Sequence, residues 1–342
     1  MAKHSTSRIV GQRLTAAIPS VIGVIIVTFL LTRALPGDPA AFFAGPAATA
    51  DAIEEVRSAL GLDKSLPEQF FIYIGELVRG DLGVSLTTGQ TVVYDLATRL
   101  PASLELTLAG LVLAIALALP LGILAATRPN SWIDHGVRLL VTAGVSLPTF
   151  FTGLFLVYVL YYRLGFAPAP LGRLGLLYSP PPQITGFYLI DSLLTGDLGL
   201  FGSVAAQLFL PAVTLGLFAL APLARVTRAS MLGMLSSDFI RTARASGLPP
   251  RQILFGYAFR NALLPVVTTL GVVFSFLLGA NILVEKVFAW PGVSSYAVEA
   301  LVASDYAPIQ GFILTMALLY VGLNLFIDLL YVVIDPRARV DG

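Results

Sequence analysis

Cysteine is absent from the 342 residues, so neither a disulfide framework nor a thiolate metal site can form. Histidine is almost absent: only His4 and His135 occur, and neither lies near carboxylates or serines in an arrangement suited to catalysis. The only lysines are Lys3, Lys64 and Lys286, and none follows the glycines of a Gly-x-x-x-x-Gly-Lys-Ser/Thr phosphate loop. No enzyme is indicated, and any ATP chemistry belongs to another subunit. Charge is also scarce, at 12% of residues with a net +1.

What is present is apolar. Hydrophobic residues make up 56% of the chain and mean hydropathy is +0.85, too high for a soluble globular domain. The chain belongs in a bilayer. Six runs are long enough to cross a ~30 Å hydrocarbon core, at 14–32, 104–126, 137–161, 208–226, 263–284 and 308–334. The first exceeds the ~7–15 residue apolar core of a signal peptide, which favours a retained span over a cleaved leader. Pro120 and Pro148 fall inside spans, where kinks are expected.

Six crossings put both termini on one side. That side carries thirteen of the 21 Lys and Arg residues, although the other side holds the long segments. The positive-inside rule places the termini, 1–13 and 335–342, and the loop 227–262 in the cytoplasm. Three segments then face outward. Residues 33–103 are rich in acid, with two or three short helices expected around Ala52–Leu60 and Glu68–Val78. Residues 163–207 are rich in Pro and Gly, with irregular backbone and one short helix expected. The last is 285–307, around AWPGVSSYAVEAL. Internal repeats and low-complexity tracts are not seen.

The loop 227–262 is the polar, arginine-rich interruption. Asp238–Gly247 reads as a short helix, with Ser237 or Asp238 as its cap and Gly247, Pro249 and Pro250 as its stop. At ~100° per residue, Thr242, Ala243, Ala245, Ser246 and Gly247 share an arc of small side chains, with Arg241 and Arg244 on the other side. A second helical piece is expected at Arg251–Asn261. Ordinary topology-setting arginines are the competing reading.

DFIRTARASGL and FRNALLPVVT resemble the loop of the dipeptide, oligopeptide and nickel branch of permease subunits in binding-protein-dependent ABC importers. The general signature of those permeases is Glu-Ala-Ala, three residues, then Gly. Here Arg241, Thr242 and Ala243 precede Gly247, so only the second Ala and the Gly match it. Outside the loop, ALPGDPA, RGDLGVS, ATRLPASLELT and the closing NLFIDLLYVVIDPRAR are similar to the same branch, and AWPGVSSYAVEAL resembles its re-entrant outer loop. The resemblance implies an all-α polytopic membrane protein with six transmembrane helices, the type I importer permease fold, in a bacterial inner membrane. It implies that Arg241, Thr242, Ala243, Arg244, Ala245, Ser246 and Gly247 dock against an ATPase subunit. The implied partners are a homologous permease subunit, two ATPase subunits that bind ATP and Mg²⁺, and an extracytoplasmic binding protein. The chain itself is expected to bind no cofactor, metal or nucleic acid. The expected cargo is a di- or oligopeptide, with a nickel chelate, glutathione or an opine as alternatives. The reading from another class is a secondary transporter driven by an ion gradient.

Ionisable residues inside spans mark an ion or substrate path by default. Asp328, one turn after Asn324 in the last span, is the clearest candidate, although an interhelical hydrogen bond is the favoured role. Glu105, at the outer end of the second span, is read as an interfacial side chain. Phe150, Phe151, Tyr161 and Tyr162 are read as packing residues rather than as the lining of a peptide route.

Overall fold

The computed structural model describes residues 6–34, 38–45 and 47–334, the side chains of 6–10, 12–14, 16–17 and 328–334 excepted. The expected cytoplasmic C-terminus, 335–342, and the first five residues of the N-terminal segment lie outside the described residues. In chain order the helices are α1 (Thr6–Ala34), α2 (Pro39–Ala44), α3 (Ala50–Ala59), α4 (Leu66–Val78), α5 (Val92–Thr127), α6 (Trp132–Ser146) and α7 (Thr149–Leu156). They continue with α8 (Tyr188–Leu194), α9 (Leu198–Leu235), α10 (Asp238–Ala245), α11 (Arg260–Val287), α12 (Val293–Val302) and α13 (Tyr306–Ile334). Among the described residues there is no strand beyond one isolated bridge, Val84 to Thr91.

Four helical runs among the described residues are long and apolar enough to cross a membrane: Val92–Thr127, Leu198–Leu235, Gln252–Val287 and Tyr306–Ile327. A fifth crossing exists if α6 and the following Thr149–Arg163 form one span, but these are bent by 101°. The kink expected at Pro148 is therefore a corner. Leu147 (φ −104°, ψ 142°) and Pro148 (φ −56°, ψ 141°) are both extended, because Pro148 biases the residue before it away from helical geometry. Pro120, by contrast, does not interrupt α5. The first expected span lies within α1, a continuous helix of 29 residues. The second helical piece expected at Arg251–Asn261 is present as a π-helical stretch, Gln252–Phe259, that runs without a break into α11. Likewise α9 starts at Leu198, so the end of the expected irregular segment is helical.

The helices divide between two compact units, one made of the chain to Pro101 with Pro291–Gly322, the other of Ala102–Trp290 with the chain from Leu323. In the first, local caps start the short helices: Asp38 accepts from the Ala40 amide at 3.0 Å, and the Glu68 carboxylate accepts from the Ser65 amide at 3.0 Å. Phe29 of α1 meets the edge of Phe70 of α4 at 5.1 Å. Val92, Leu96, Val293 and Tyr296 form the unit's buried apolar cluster.

The second unit is a packed bundle of α5, α6, α7, α9 and α11 around Leu106, Leu215, Leu223 and Leu277, all at most 1% exposed. Small residues let α5 and α9 approach closely. A methyl added to Gly110 would lie 2.8 Å from Leu215 Cβ, and one added to Gly122 would lie 2.7 Å from Thr227 Cβ.

Candidate functional site

The short helix α10 is seated by apolar burial. Ile240 is fully buried and Ala243 nearly so, in a cluster with Ala126, Met231, Ile253, Ala258 and Ala262. Burying Ile240 alone stabilises the seat by about 1.5–3 kcal/mol relative to leaving it in water. Three residues apart, Ile240 and Ala243 share one face of the helix. This corrects the expected arc: Ala243 is not part of an exposed small surface. Arg241, Thr242, Arg244, Ala245, Ser246 and Gly247 are all exposed, and Phe239, which the arc did not include, is 43% exposed beside them.

The expected cap is not formed. The Ser237 hydroxyl donates backwards to Met234 O at 2.5 Å, and Asp238 turns outward to lie 3.4 Å from Arg241. Exposure of both side chains makes that ion pair worth little. The expected stop does form. The Leu248 amide donates to Ala243 O at 3.3 Å and the Gly247 amide to Arg244 O at 3.0 Å, with Gly247 left-handed at φ +75°. This double bond pattern needs a residue tolerant of positive φ, hence glycine. The hydroxyls of Thr242 and Ser246 donate to backbone carbonyls one turn earlier, at 3.1 and 3.0 Å. The two arginine heads and Phe239 are left as the projecting groups.

Buried charge in the second unit is held by ion pairs or by converging hydrogen-bond donors. Arg228 grips the buried Asp134 through Nε and Nη2, at 2.6 and 2.7 Å, and ties the start of α6 to α9. Glu105 is not an interfacial side chain: it is 4% exposed, accepts from Arg173 at 2.6 Å and from the Leu189 amide at 2.8 Å, and Arg173 lies 3.4 Å over the Tyr188 ring. Nearby Asp191 accepts from Thr185, Gly186 and Ile184. Burial acts to raise its carboxyl, but those bonds outweigh it and hold the group below its ordinary range.

A further polar cluster, not singled out from the sequence, joins α5 to α11. Asn281 donates to Thr107 Oγ1 at 2.6 Å and to Ser103 O at 3.1 Å, while Ser103 donates to the fully buried Glu285 at 2.5 Å. The visible signal was an Asn and a Glu one helical turn apart in an apolar run, the same spacing as Asn324 and Asp328. That latter pair is not brought together in what is described: Asn324 is exposed, and the Asp328 side chain lies outside the described residues.

With this geometry in place, comparison with known proteins decides the family. Residues 118–340 match the family model of the binding-protein-dependent transport system inner membrane component. The chain belongs to that family. Residues 6–107 match the corresponding N-terminal membrane component model, so the family covers the first outer segment as well as the bundle. The permease is 43% identical to the probable D,D-dipeptide transport system permease protein DdpB of Escherichia coli K12, over 98% of each chain. It is 42% identical to the di/tripeptide transport system permease protein DppB of Pseudomonas aeruginosa (96% of this chain, 98% of the relative). It is 37% identical to the glutathione transport system permease protein GsiC of Shigella flexneri (96% and 97%). Among solved structures, an inward-facing conformation of the MetNI methionine ABC transporter superposes with a TM-score of 0.53 at 16% identity, covering 71% of this permease and 97% of that chain. The likeness shows the fold alone, an all-α fold shared with that transporter's membrane chain. With several apolar helices and this family, the protein is a multi-pass inner membrane component.

Proposed function

We propose that this permease forms half of the translocation pathway of an ATP-driven importer of di- and oligopeptides. The observation that carries the reading is likeness over nearly the whole chain to permeases named for dipeptide and di/tripeptide transport. The glutathione permease among the relatives supports a second cargo reading, glutathione being itself a small peptide. A homologous permease completes the pathway as a heterodimer, two cytosolic ATPase subunits bind ATP and Mg²⁺, and an extracytoplasmic protein delivers the cargo. Both termini and α10 lie in the cytoplasm, and six crossings arise when α1 and the bent α6–α7 pair each count as one.

In this reading α10 is the lever. Its Ile240 face anchors it to the bundle, while Arg241, Arg244 and Phe239 present to a groove on an ATPase subunit. Closure of the ATPase dimer on ATP then drives the spans from inward-open to outward-open. ATP and the loaded binding protein must each favour one state differentially, or neither shifts the balance. Asp328 serves as an interhelical hydrogen-bonding group rather than as a proton carrier.

The test is uptake of radiolabelled alanyl-alanine into proteoliposomes holding the complete complex and its binding protein. Uptake is expected to require ATP. Uptake that persists without ATP under an imposed ion gradient would overturn the importer reading in favour of a secondary transporter.

A further inference from the structure

A cavity of about 340 Å³ lies wholly within the first unit, lined by side chains of both charges, Arg33, Lys64, Glu76 and Asp305, and by the rings of Tyr73 and Tyr306. Its volume falls at the low end of the range for small-molecule sites, about 300–1,000 Å³.

Arg33 is held but not neutralised. Its Nε donates to Gln69 Oε1 at 3.1 Å and its Nη1 to Thr32 Oγ1 at 3.3 Å, with its guanidinium carbon 4.5 Å from the Phe29 ring and 5.2 Å from that of Tyr306. Gln69 is fixed in turn, donating to Lys64 O at 2.9 Å. No carboxylate lies within ion-pair distance of Arg33 among the described residues, and its Nη2 makes no hydrogen bond there. An oriented guanidinium with a free edge matches a carboxylate.

Asp305, on the same lining, braces the loop at Ser85 and Thr87. It is fully buried, and its Oδ2 accepts from Ser85 Oγ at 2.9 Å and from the amide and hydroxyl of Thr87 at 3.0 and 3.1 Å. Its Oδ1 has no partner. With no accessible surface of its own, Asp305 is closed off from an occupant, and the carboxylate open on the cavity lining is the exposed Glu76.

We infer that this cavity binds a small molecule carrying both a free carboxylate and an ammonium group, with Arg33 as the carboxylate receptor and the exposed Glu76 carboxylate receiving the ammonium. The inference rests on the peptide reading above for its choice of ligand, alanyl-alanine. It makes this unit a holding site for cargo in addition to the route through the membrane.

The experiment measures equilibrium binding of alanyl-alanine, its C-terminal amide and its N-acetyl derivative to the complete permease–ATPase complex in nanodiscs, without binding protein or nucleotide. The free peptide is expected to bind about tenfold or more tightly than either blocked form, as loss of a charge-assisted contact requires. Arg33→Gln is expected to erase the preference for acid over amide, and Arg33→Lys to keep part of it. Equal binding of acid and amide to the unaltered complex, an acid preference that survives Arg33→Gln, or no binding at millimolar peptide would each overturn the inference. The acid–amide comparison needs no variant, so it decides even if Arg33→Gln fails to fold. Uptake of the same peptide separates the two readings. Uptake without carboxylate-dependent binding overturns the cavity and leaves transport standing, whereas such binding without uptake supports the cavity and overturns the cargo.

Discussion

Replacement of Gly247 separates two accounts of how α10 works. A docking surface limited by bulk would tolerate Ala best and lose coupling progressively with Asn and Val. The structure points elsewhere, since a Cβ at Gly247 meets nothing within 4 Å while the backbone sits at φ +75°. The cost is conformational. A left-handed residue bearing a Cβ pays roughly 1–2 kcal/mol, with Asn better adapted than Ala and β-branched residues worst. The strain acts on the two bonds that close the helix, Leu248 to Ala243 and Gly247 to Arg244, and so on the side of α10 next to Ala243 in its seat. If the helix end is in balance between closed and frayed, 1–2 kcal/mol shifts that balance by roughly five- to thirtyfold. ATP-driven peptide uptake in proteoliposomes, normalised to incorporated protein, should therefore fall in the order Gly, Asn, Ala, Val. An active Ala variant beside an inactive Asn variant would refute the conformational argument and restore the steric one.

Three other outcomes are expected. Gly122→Ala forces a methyl to within 2.7 Å of Thr227 Cβ and 3.0 Å of Ala224 O, and should lower thermal stability in detergent, since overpacking costs about 1–3 kcal/mol; Gly233→Ala, with open space around it, should be neutral or stabilising by up to about 1 kcal/mol. Arg173→Met strands the buried Glu105 carboxylate and should cost about 3–5 kcal/mol, most of it recovered in the Arg173→Met, Glu105→Gln double variant; additive losses in the cycle would show that the pair is not coupled. The lowered Asp191 carboxyl contributes stability above its unfolded value, near pH 4, and loses it as pH falls through the still lower folded value. Protection of the Thr185 and Gly186 amides against hydrogen exchange, relative to their intrinsic rates, should fall on acidification below about pH 4, and Asp191→Asn should remove that dependence.

Much of α10 was legible because its ends are written in residues with one physical meaning each. Gly247 followed by Pro249 and Pro250 can hardly continue a helix, and the structure ends it there. Its orientation was not legible from the arc of small side chains. Ile240 is the strongest apolar group on the helix and takes the buried side, and Ala243 follows because it lies three residues on. Pro148 announced a departure from straightness, but its size depended on both Leu147 and Pro148 being extended. Glu105 was misread as interfacial because its partner, Arg173, sits 68 residues away in an irregular segment, where no periodicity links the two. The cluster of Asn281, Glu285, Ser103 and Thr107 was hidden for the same reason. A polar residue in an apolar run reveals a need for a partner but not its address.

The corner at Leu147–Pro148 constrains how the bundle can move. Proline has no amide hydrogen to rejoin a helical ladder, and it keeps its predecessor extended. The right-angled turn is thus favoured by local backbone chemistry, in contrast to Pro120, which α5 accommodates without a break, and it should persist through a transport cycle. Its two arms, α6 and α7, then act as an elbow welded at a fixed angle. Motion through this part of the protein is then expected as tilting or sliding of whole rods, because straightening the joint would require both Leu147 and Pro148 to leave their extended conformations.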